Sequence, residues 1–418
     1  MNVLFIVPYM PNLIRVRSYN LIRQLAERGN QVTVCTLWTD ANELIDAAFL
    51  EKHPGLELIA VSQSRWRSLW NCLLALPSTT PLQAVFSWQP ELARKIEKRL
   101  KARDIFKYDV AHVEHLRGAQ YGMYIKSRFQ QVPVVWDSVD CISYLFKQAA
   151  RQSRSTFGKL ITRLDLNRTR RYEGWLAGQF DRVLFTSAVD RQALLDLVPP
   201  NVVPSPMDIL PNGVDYEYFA TGEEIERDPA TIVFSGKMGY HANVTMLMFL
   251  VREVMPLVWA QKPEVKLLVV GKDPPAKVRS LAENPAITVT GTVPDLRPYL
   301  RKATLAVVPL VYGAGFQNKV VEAMACGTPV VATPRAILTL SAQPGRDLLV
   351  AEKPDGIAAS ILQLVDNPDY RRQVGVNGRR YVQRNHSWSG VAGQLEDVYH
   401  KAIQAQFNPG KNKLVDIQ

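Results

Sequence analysis

Short apolar runs alternate along this chain with longer stretches in which apolar residues recur every three or four positions. VLFIV (3–7) is apolar throughout, the pattern of a strand buried on both faces. From Ser18 to Arg28 the period lengthens, and Leu21, Ile22 and Leu25 share one face of a predicted helix. QVTVCTL (31–37), LELIAV (56–61), VAHVEH (110–115), VPVVWD (132–137) and RVLFTS (182–187) continue the strand series. Strands separated by helical stretches predict a parallel sheet covered on both faces.

The pattern restarts near residue 230. TIVFSG (231–236), VKLLVVG (265–271), ITVTG (287–291), LAVVPL (305–310) and PVVAT (329–333) read as strands. Helices are expected over 243–261, 274–284, 317–326 and 356–366. The fold class is therefore α/β, with two doubly wound Rossmann-like domains, residues 1–205 and 206–385. Their join falls in NVVPSPMDILPNGVDYEYF (201–219), which is rich in proline and turn residues. Residues 386–418 hold an amphipathic stretch with Val391, Leu395, Val398 and Tyr399, expected to cross back to the first domain, and then a polar tail.

Composition narrows the class. The chain has 418 residues, 47% of them hydrophobic, enough for two cores. No run of about 18 uninterrupted apolar residues occurs, so no transmembrane helix is expected. MNVLFIVPYM lacks a charged n-region and reads as a first strand rather than a signal peptide. The cysteines, Cys35, Cys72, Cys141 and Cys326, lack zinc-like spacing and read as free thiols in a reducing cytoplasm. Fifty Lys and Arg against 39 Asp and Glu leave a net charge of +11, which favours anionic partners.

The chemistry concentrates in GAGFQNKVVEAMACGTPVVAT (313–333). In a doubly wound sheet, ligands bind beyond the carboxyl ends of the strands. LAVVPL ends at Leu310, so the next residues lie at that edge. Gly313 and Gly315 let backbone approach a ligand. The helix that follows offers free N–H groups and its dipole to a diphosphate, Lys319 adds a full charge, and Glu322 is placed to accept two ribose hydroxyls. A plain turn with a local ion pair is the alternative reading.

Several segments together resemble glycosyltransferase family 4, the retaining GT-B enzymes. Glu-Ala-Met-Ala-Cys-Gly-Thr-Pro-Val-Val (322–331) is similar to the second half of that family's Glu-x7-Glu signature. ILPNGVDYEYF (209–219), VFSGKMGYHANV (233–244), VVGKDPP (269–275), VTGTVPDLRPYL (289–300) and FDRVLFTSAVDR (180–191) resemble family segments in the same order. The resemblance implies a GT-B fold whose two domains face a central cleft, the first binding the acceptor and the second the nucleotide sugar. It implies donor contacts from Glu322, Gly236, Gly315, Phe316, Gln317, Asn318, Gly271, Thr292 and Val293. Lys237 stands where the family has a basic residue on the diphosphate, and Lys319 follows a variant Gly-x-x-Asn-Lys-Val-x-Glu pattern. With Asp140 these two lysines are the candidate catalytic residues.

This chain also departs from the pattern. Eight positions before Glu322 stands Ala314, so the first acid of the signature is missing. A different donor contact, a slow enzyme and a binding-only protein all fit that change. The first loop, PYMPNLIRVRSYN (8–20), has no glycine and carries Arg15 and Arg17, suited to a phosphate or carboxylate on the acceptor. In VVWDSVDC (134–141), Val139 takes the place of a family histidine between Asp137 and Asp140. Arg15, Arg17, His115 and Asp137 are the candidate acceptor contacts.

The resemblance implies retaining transfer of a hexosyl group by same-face attack, without a metal. No Asp-x-Asp is present to hold one. No permanently bound cofactor is expected; the donor substrate is a nucleotide sugar, a UDP- or GDP-sugar, and the acceptor a hydroxyl on a small molecule, glycan or lipid-linked sugar. Cell-surface polysaccharide, glycolipid or natural-product glycoside synthesis would use such an enzyme. Two basic amphipathic segments, 147–171 and 65–76, the second with Trp66 and Trp70, are candidates for peripheral contact with the inner face of the membrane. No motif supports nucleic-acid binding. A weak or inactive sugar-nucleotide-binding protein and a sugar-nucleotide epimerase are the rival readings.

Overall fold

The computed structural model describes residues 1–12, 15–46, 53–102, 108–152, 156–220, 226–312 and 316–407. Its contacts divide the chain into two compact units, Met1–Pro211 with Val391–Gln418, and Asn212–Gly390.

The first unit holds seven strands: β1 (Asn2–Val7), β2 (Gln31–Trp38), β3 (Leu56–Ser62), β4 (Val110–Glu114), β5 (Val134–Val139), β6 (Arg182–Phe185) and β7 (Met207–Ile209). They form one parallel sheet in the order β3-β2-β1-β4-β5-β6-β7. Val3, Leu4, Phe5, Ile6 and Val7 of β1 are all buried, because helices cover both faces of a central parallel strand. Each such side chain contributes about 1.5–3 kcal/mol by leaving water. The pairing of β5 with β6 shifts register between Asp137 and Val139, and Val139 takes a φ of +68°. That bulge re-aims the residues that follow it.

The second unit repeats the plan with β8 (Thr231–Ser235), β9 (Lys266–Val270), β10 (Ile287–Val289), β11 (Leu305–Val308), β12 (Val330–Ala332) and β13 (Leu349–Val350), ordered β10-β9-β8-β11-β12-β13. Both sheets are thus doubly wound, and each reverses direction beside its own first strand. The switch points lie between β1 and β4 and between β8 and β11.

Three features differ from the sequence expectation. The expected join contains β7, which pairs with β6, so the first sheet continues past residue 205 and the units divide between Pro211 and Asn212. Prolines at 204, 206 and 211 read as a linker, but an edge strand tolerates them. The return to the first unit comes at Val391, and there Glu396 pairs with Arg28 at 2.7 Å and accepts from Asn30 at 2.6 Å. The helix expected over 243–261 runs His241–Trp259 and widens to a π turn at Leu250–Val254, where the Met255 N–H reaches the Leu250 carbonyl. Pro256 has no N–H to continue the regular ladder, which accounts for the widening. This helix is long and apolar enough to cross a membrane by length and composition, yet its Leu247, Leu250, Val254 and Val258 fill the second core.

Candidate functional site

In the second unit the sequence places glycine where strands β8 and β9 end. Gly236 has a φ of +149° and Gly271 a φ of +157°, conformations that other residues rarely adopt. A Cβ on Gly271 would stand 1.7 Å from the Gly236 carbonyl oxygen. The two strand ends therefore touch, and no side chain fits between them. A Cβ on Gly236 would in turn meet the Asn243 amide nitrogen at 2.9 Å and the Lys319 Nζ at 3.5 Å.

Those two side chains form a roof over the turn. Lys319 donates to Asn243 Oδ1 at 2.5 Å, and Asn243 Nδ2 donates to the Lys237 carbonyl at 2.9 Å. Lys319 Nζ also lies 5.8 Å from the Phe234 ring centroid. Lys319 and Glu322 are neighbours on one face of the helix Asn318–Ala325, whose first turn has no side-chain cap. Burial pushes the Lys319 ammonium down to about 8, with Glu322 acting in the opposite direction. Burial pushes the Glu322 carboxyl up to about 7, with Lys319 pulling it back. The Glu322 side chain keeps an accessible edge and makes no hydrogen bond among the described residues. This is a desolvated, mutually dependent pair of opposite charges beside a tight backbone turn.

The remaining donor-side residues surround this centre unequally. Lys237, Asn318 and Thr292 are exposed, and Val293 packs on the second core. Phe316 lies against His386, ring centroids 5.3 Å apart, and Gln317 precedes the helix. Gly315, with Gly313 and Ala314, lies outside the described residues. Asn243 was missed in the sequence; nothing in its local pattern separates it from any polar residue early in a helix.

In the first unit the loop after β1 and the ends of β4 and β5 bring a different set together. Arg17 and Asp137 are both buried and committed to each other: Nη2 and Nε donate to Asp137 Oδ2 at 2.7 and 3.1 Å. Arg17 also donates to the Leu210 and Pro211 carbonyls at 3.2 and 3.3 Å. The guanidinium expected to meet an acceptor anion instead ties the first helix to β5 and to the chain leaving β7. His112 stacks on Phe5 at 4.1 Å, its Nε2 3.8 Å from Asp137, and burial pushes it down to about 4. Glu114 accepts from Ser18, and burial, then Asp137, push its carboxyl up to about 7.

Beyond these pairs lie the other candidates. His115 has a φ of +67° and a buried Nδ1 without a hydrogen-bond partner; burial and then Arg117 push it down to about 4, so it is neutral. Asp140 follows the bulge in β5, and burial, then Asp190, push it up to about 6 while Thr186 donates to it at 3.3 Å. Arg15 lies over the Tyr9 ring at 4.5 Å and donates to the Met10 carbonyl at 3.2 Å. Tyr9, Glu114 and Arg117 were missed in the sequence, although Arg117 follows VAHVEH by only two residues.

Two family models match successive parts of the chain. One, described as Glycosyltransferase Family 4, covers residues 14–218; the other, Glycosyl transferases group 1, covers 229–367. Among curated proteins, the chain is 38% identical over 112 residues to an MMP alpha-(1->4)-mannosyltransferase of Mycolicibacterium hassiacum, covering 26% of this chain and 27% of that one. It is 28% identical over 253 residues to a D-inositol 3-phosphate glycosyltransferase of Segniliparus rotundus, covering 56% and 55%. It is 29% identical over 219 residues to a phosphatidyl-myo-inositol mannosyltransferase of Mycolicibacterium smegmatis, covering 49% and 55%. The matched stretches thus span about half or less of these relatives. A sucrose-phosphate synthase from Thermosynechococcus elongatus superposes with a TM-score of 0.67 at 20% identity, over 97% of this chain and 100% of that one. Anabaena HepE in complex with UDP superposes with a TM-score of 0.63 at 13% identity, over 96% and 100%. These likenesses show the GT-B fold. The chain belongs to glycosyltransferase family 4.

Proposed function

We propose that this member of glycosyltransferase family 4 is a cytoplasmic, metal-independent, retaining glycosyltransferase that moves a hexosyl group from a nucleoside diphosphate sugar to an acceptor hydroxyl. The observation that carries the reading is the Lys319–Asn243 roof over the glycine turn with Glu322 one helical turn away. A diphosphate at this turn meets an ammonium, the amide that holds it, and an uncapped helix end. Lys319, weakened as a base by burial, regains its full charge when a diphosphate replaces the water around it. Glu322, ionised, accepts from the two ribose hydroxyls.

The chemistry asked of these groups is stabilisation of a leaving group. The acceptor oxygen forms its bond to the anomeric carbon as the bond from that carbon to the diphosphate breaks. The acceptor proton passes to an oxygen of the departing phosphate on the same face. Lys319, Lys237 and the helix N-terminus hold the charge that develops on the diphosphate. The donor nucleotide is UDP or GDP; HepE, with the same fold, is a UDP complex.

The acceptor is met at a membrane surface. Helix Arg65–Ala75 exposes Trp66 (84%), Trp70 (56%), Leu73 (56%) and Leu74 (62%), with Arg65 and Arg67 beside them. The end of the basic segment lies alongside, where Arg168 donates to the Leu76 carbonyl at 2.5 Å and Asp165 accepts from the Leu82 N–H at 3.1 Å. An apolar face with a cationic border suits an anionic bilayer. One relative is named for a phosphatidyl acceptor, in keeping with this placement.

Thermal melts with UDP, GDP, ADP and TDP test the donor site. Ligand at about 100 times its Kd adds about 2.7 kcal/mol. One nucleotide should stabilise the parent and much less Glu322→Ala; a folded protein that responds to none removes the donor assignment. Sedimentation with phosphatidylglycerol-containing vesicles tests the membrane surface. Trp66→Ser/Trp70→Ser should abolish co-sedimentation, and unchanged sedimentation rejects it.

A further inference from the structure

The first unit carries a cationic centre that the donor chemistry does not use. Arg117 sits in the first turn of helix His115–Arg128, directly beyond the carboxyl end of β4. Its Cζ is 5.3 Å from the Phe86 ring centroid, and its Nε is buried with no hydrogen-bond partner. Among the described residues it forms no ion pair. Arg15, from the loop after β1, is held over the Tyr9 ring at 4.5 Å, and that ring packs edge-to-face with His115 at 6.4 Å. Among the described residues the acid paired with either guanidinium is Glu43, a loose 3.8 Å from Arg15, whose side chain is 38% exposed. Glu114, next in chain to His115, faces Ser18, and Asp137 is held by Arg17.

A guanidinium whose Nε is buried and unpartnered, with a second guanidinium acting on it, is costly unless an anion joins it. Burial, and then Arg15, weaken Arg117's hold on its proton. The surroundings are otherwise suited to a phosphoryl group: forked donors from two sides, the uncapped N-terminus of a 14-residue helix, and the neutral His115 with an unused Nδ1. The β1–β4 switch point is where a doubly wound sheet takes its ligand.

We propose that Arg15 and Arg117 form an anion site that binds a phosphate group carried by the acceptor, with Tyr9 and His115 completing its walls. The proposal rests on the transferase reading for the word acceptor, and deepens it by naming the acceptor's charge. The shared chemistry is a phosphoryl group, which the donor diphosphate also carries, so the test separates the two sources.

The full-length protein is titrated calorimetrically with glycerol 3-phosphate and with inorganic phosphate, alone and with UDP or GDP at saturation. Saturable binding that persists beside the nucleotide is expected. Arg117→Gln should weaken it about 10–100-fold, the loss of one or two charge-assisted bonds, while Arg117→Lys retains part of it. Thermal melts of both variants check that they fold. Unchanged affinity in a folded Arg117→Gln overturns the proposal, as does the absence of saturable phosphate binding. Displacement of the phosphate by nucleotide overturns it too, since the pair would then serve the donor. Glu322→Gln separates the two readings: it should weaken nucleotide and leave the phosphate titration intact. Nucleotide that never binds, beside phosphate binding that depends on Arg117, removes the donor reading and leaves this site standing.

Discussion

The two switch points share a strand order and differ in nearly everything placed on it. Beside the β8–β11 point, the ends of β8 and β9 approach so closely that Gly271 admits no side chain, and Lys319, in the helix after β11, donates to Asn243 over the turn at Gly236. At the β1–β4 point Arg17 and Asp137 fill the interior and Glu114 and Ser18 lie beside them; further out, Arg15 has a loose pair with Glu43 at 3.8 Å, and Arg117 has no ion pair among the described residues. The same strand order thus carries different side chains beyond its carboxyl edge in the two units.

The contrast can be broken by substitution. Its largest expected effect is on stability in the first unit. Arg17→Ala or Asp137→Ala leaves a buried charge alone and should cost about 3–5 kcal/mol in urea unfolding. A loss below about 1 kcal/mol would mean that the pair is not the filler it is taken to be. Next comes Gly271→Ala in the second unit. The added methyl must displace the Gly236 carbonyl, so about 1–3 kcal/mol of stability should go, and nucleotide-dependent stabilisation with it.

Lys319→Met and Glu322→Gln should cost far less stability than the Arg17 variants, since the partner left behind titrates close to neutral pH and can give up its charge. Melts should move by less than about 1 kcal/mol, while nucleotide affinity falls about tenfold or more. A melt that collapses with unchanged affinity would make this pair structural and erase the contrast. The smallest effect is in pH. Nucleotide binding should weaken below about 7, as Glu322 takes up a proton, and above about 8, as Lys319 loses one. Calorimetry from pH 6 to 9 reads both limbs, and Glu322→Gln should flatten the acid limb and move the alkaline one to lower pH, because Glu322 holds the Lys319 proton on.

Much of this was legible in the chain. Continuous apolar runs such as VLFIV and TIVFS mark strands buried on both faces, and their spacing specifies two doubly wound sheets. The short edge strands were not legible: β7 is three residues among prolines and β13 only two, too short for any period to show. On the donor side, Gly236, Gly271, Lys319 and Glu322 were named from motif and position, and the structure gathers Gly236, Gly271 and Lys319 around one turn with Glu322 beside Lys319. On the acceptor side, Arg15 and Arg17 are two residues apart and chemically equal in the sequence. One is buried against Asp137, 120 residues away, and the other is held at the rim over Tyr9.

The sequence by itself thus determined what depends on local pattern: strand and helix period, glycines at strand ends, a lysine and glutamate one turn apart. Only the tertiary structure decided which charges are neutralised, because a counter-charge is chosen by distance in space. Arg17 found Asp137, and Lys319 found Asn243 across 76 positions, whereas Arg117 feels Arg15 and has no ion pair among the described residues. Desolvation then sets what each group can do, raising Glu322 and lowering Lys319 towards neutrality, and burial is a property of the packed fold rather than of any segment of the chain.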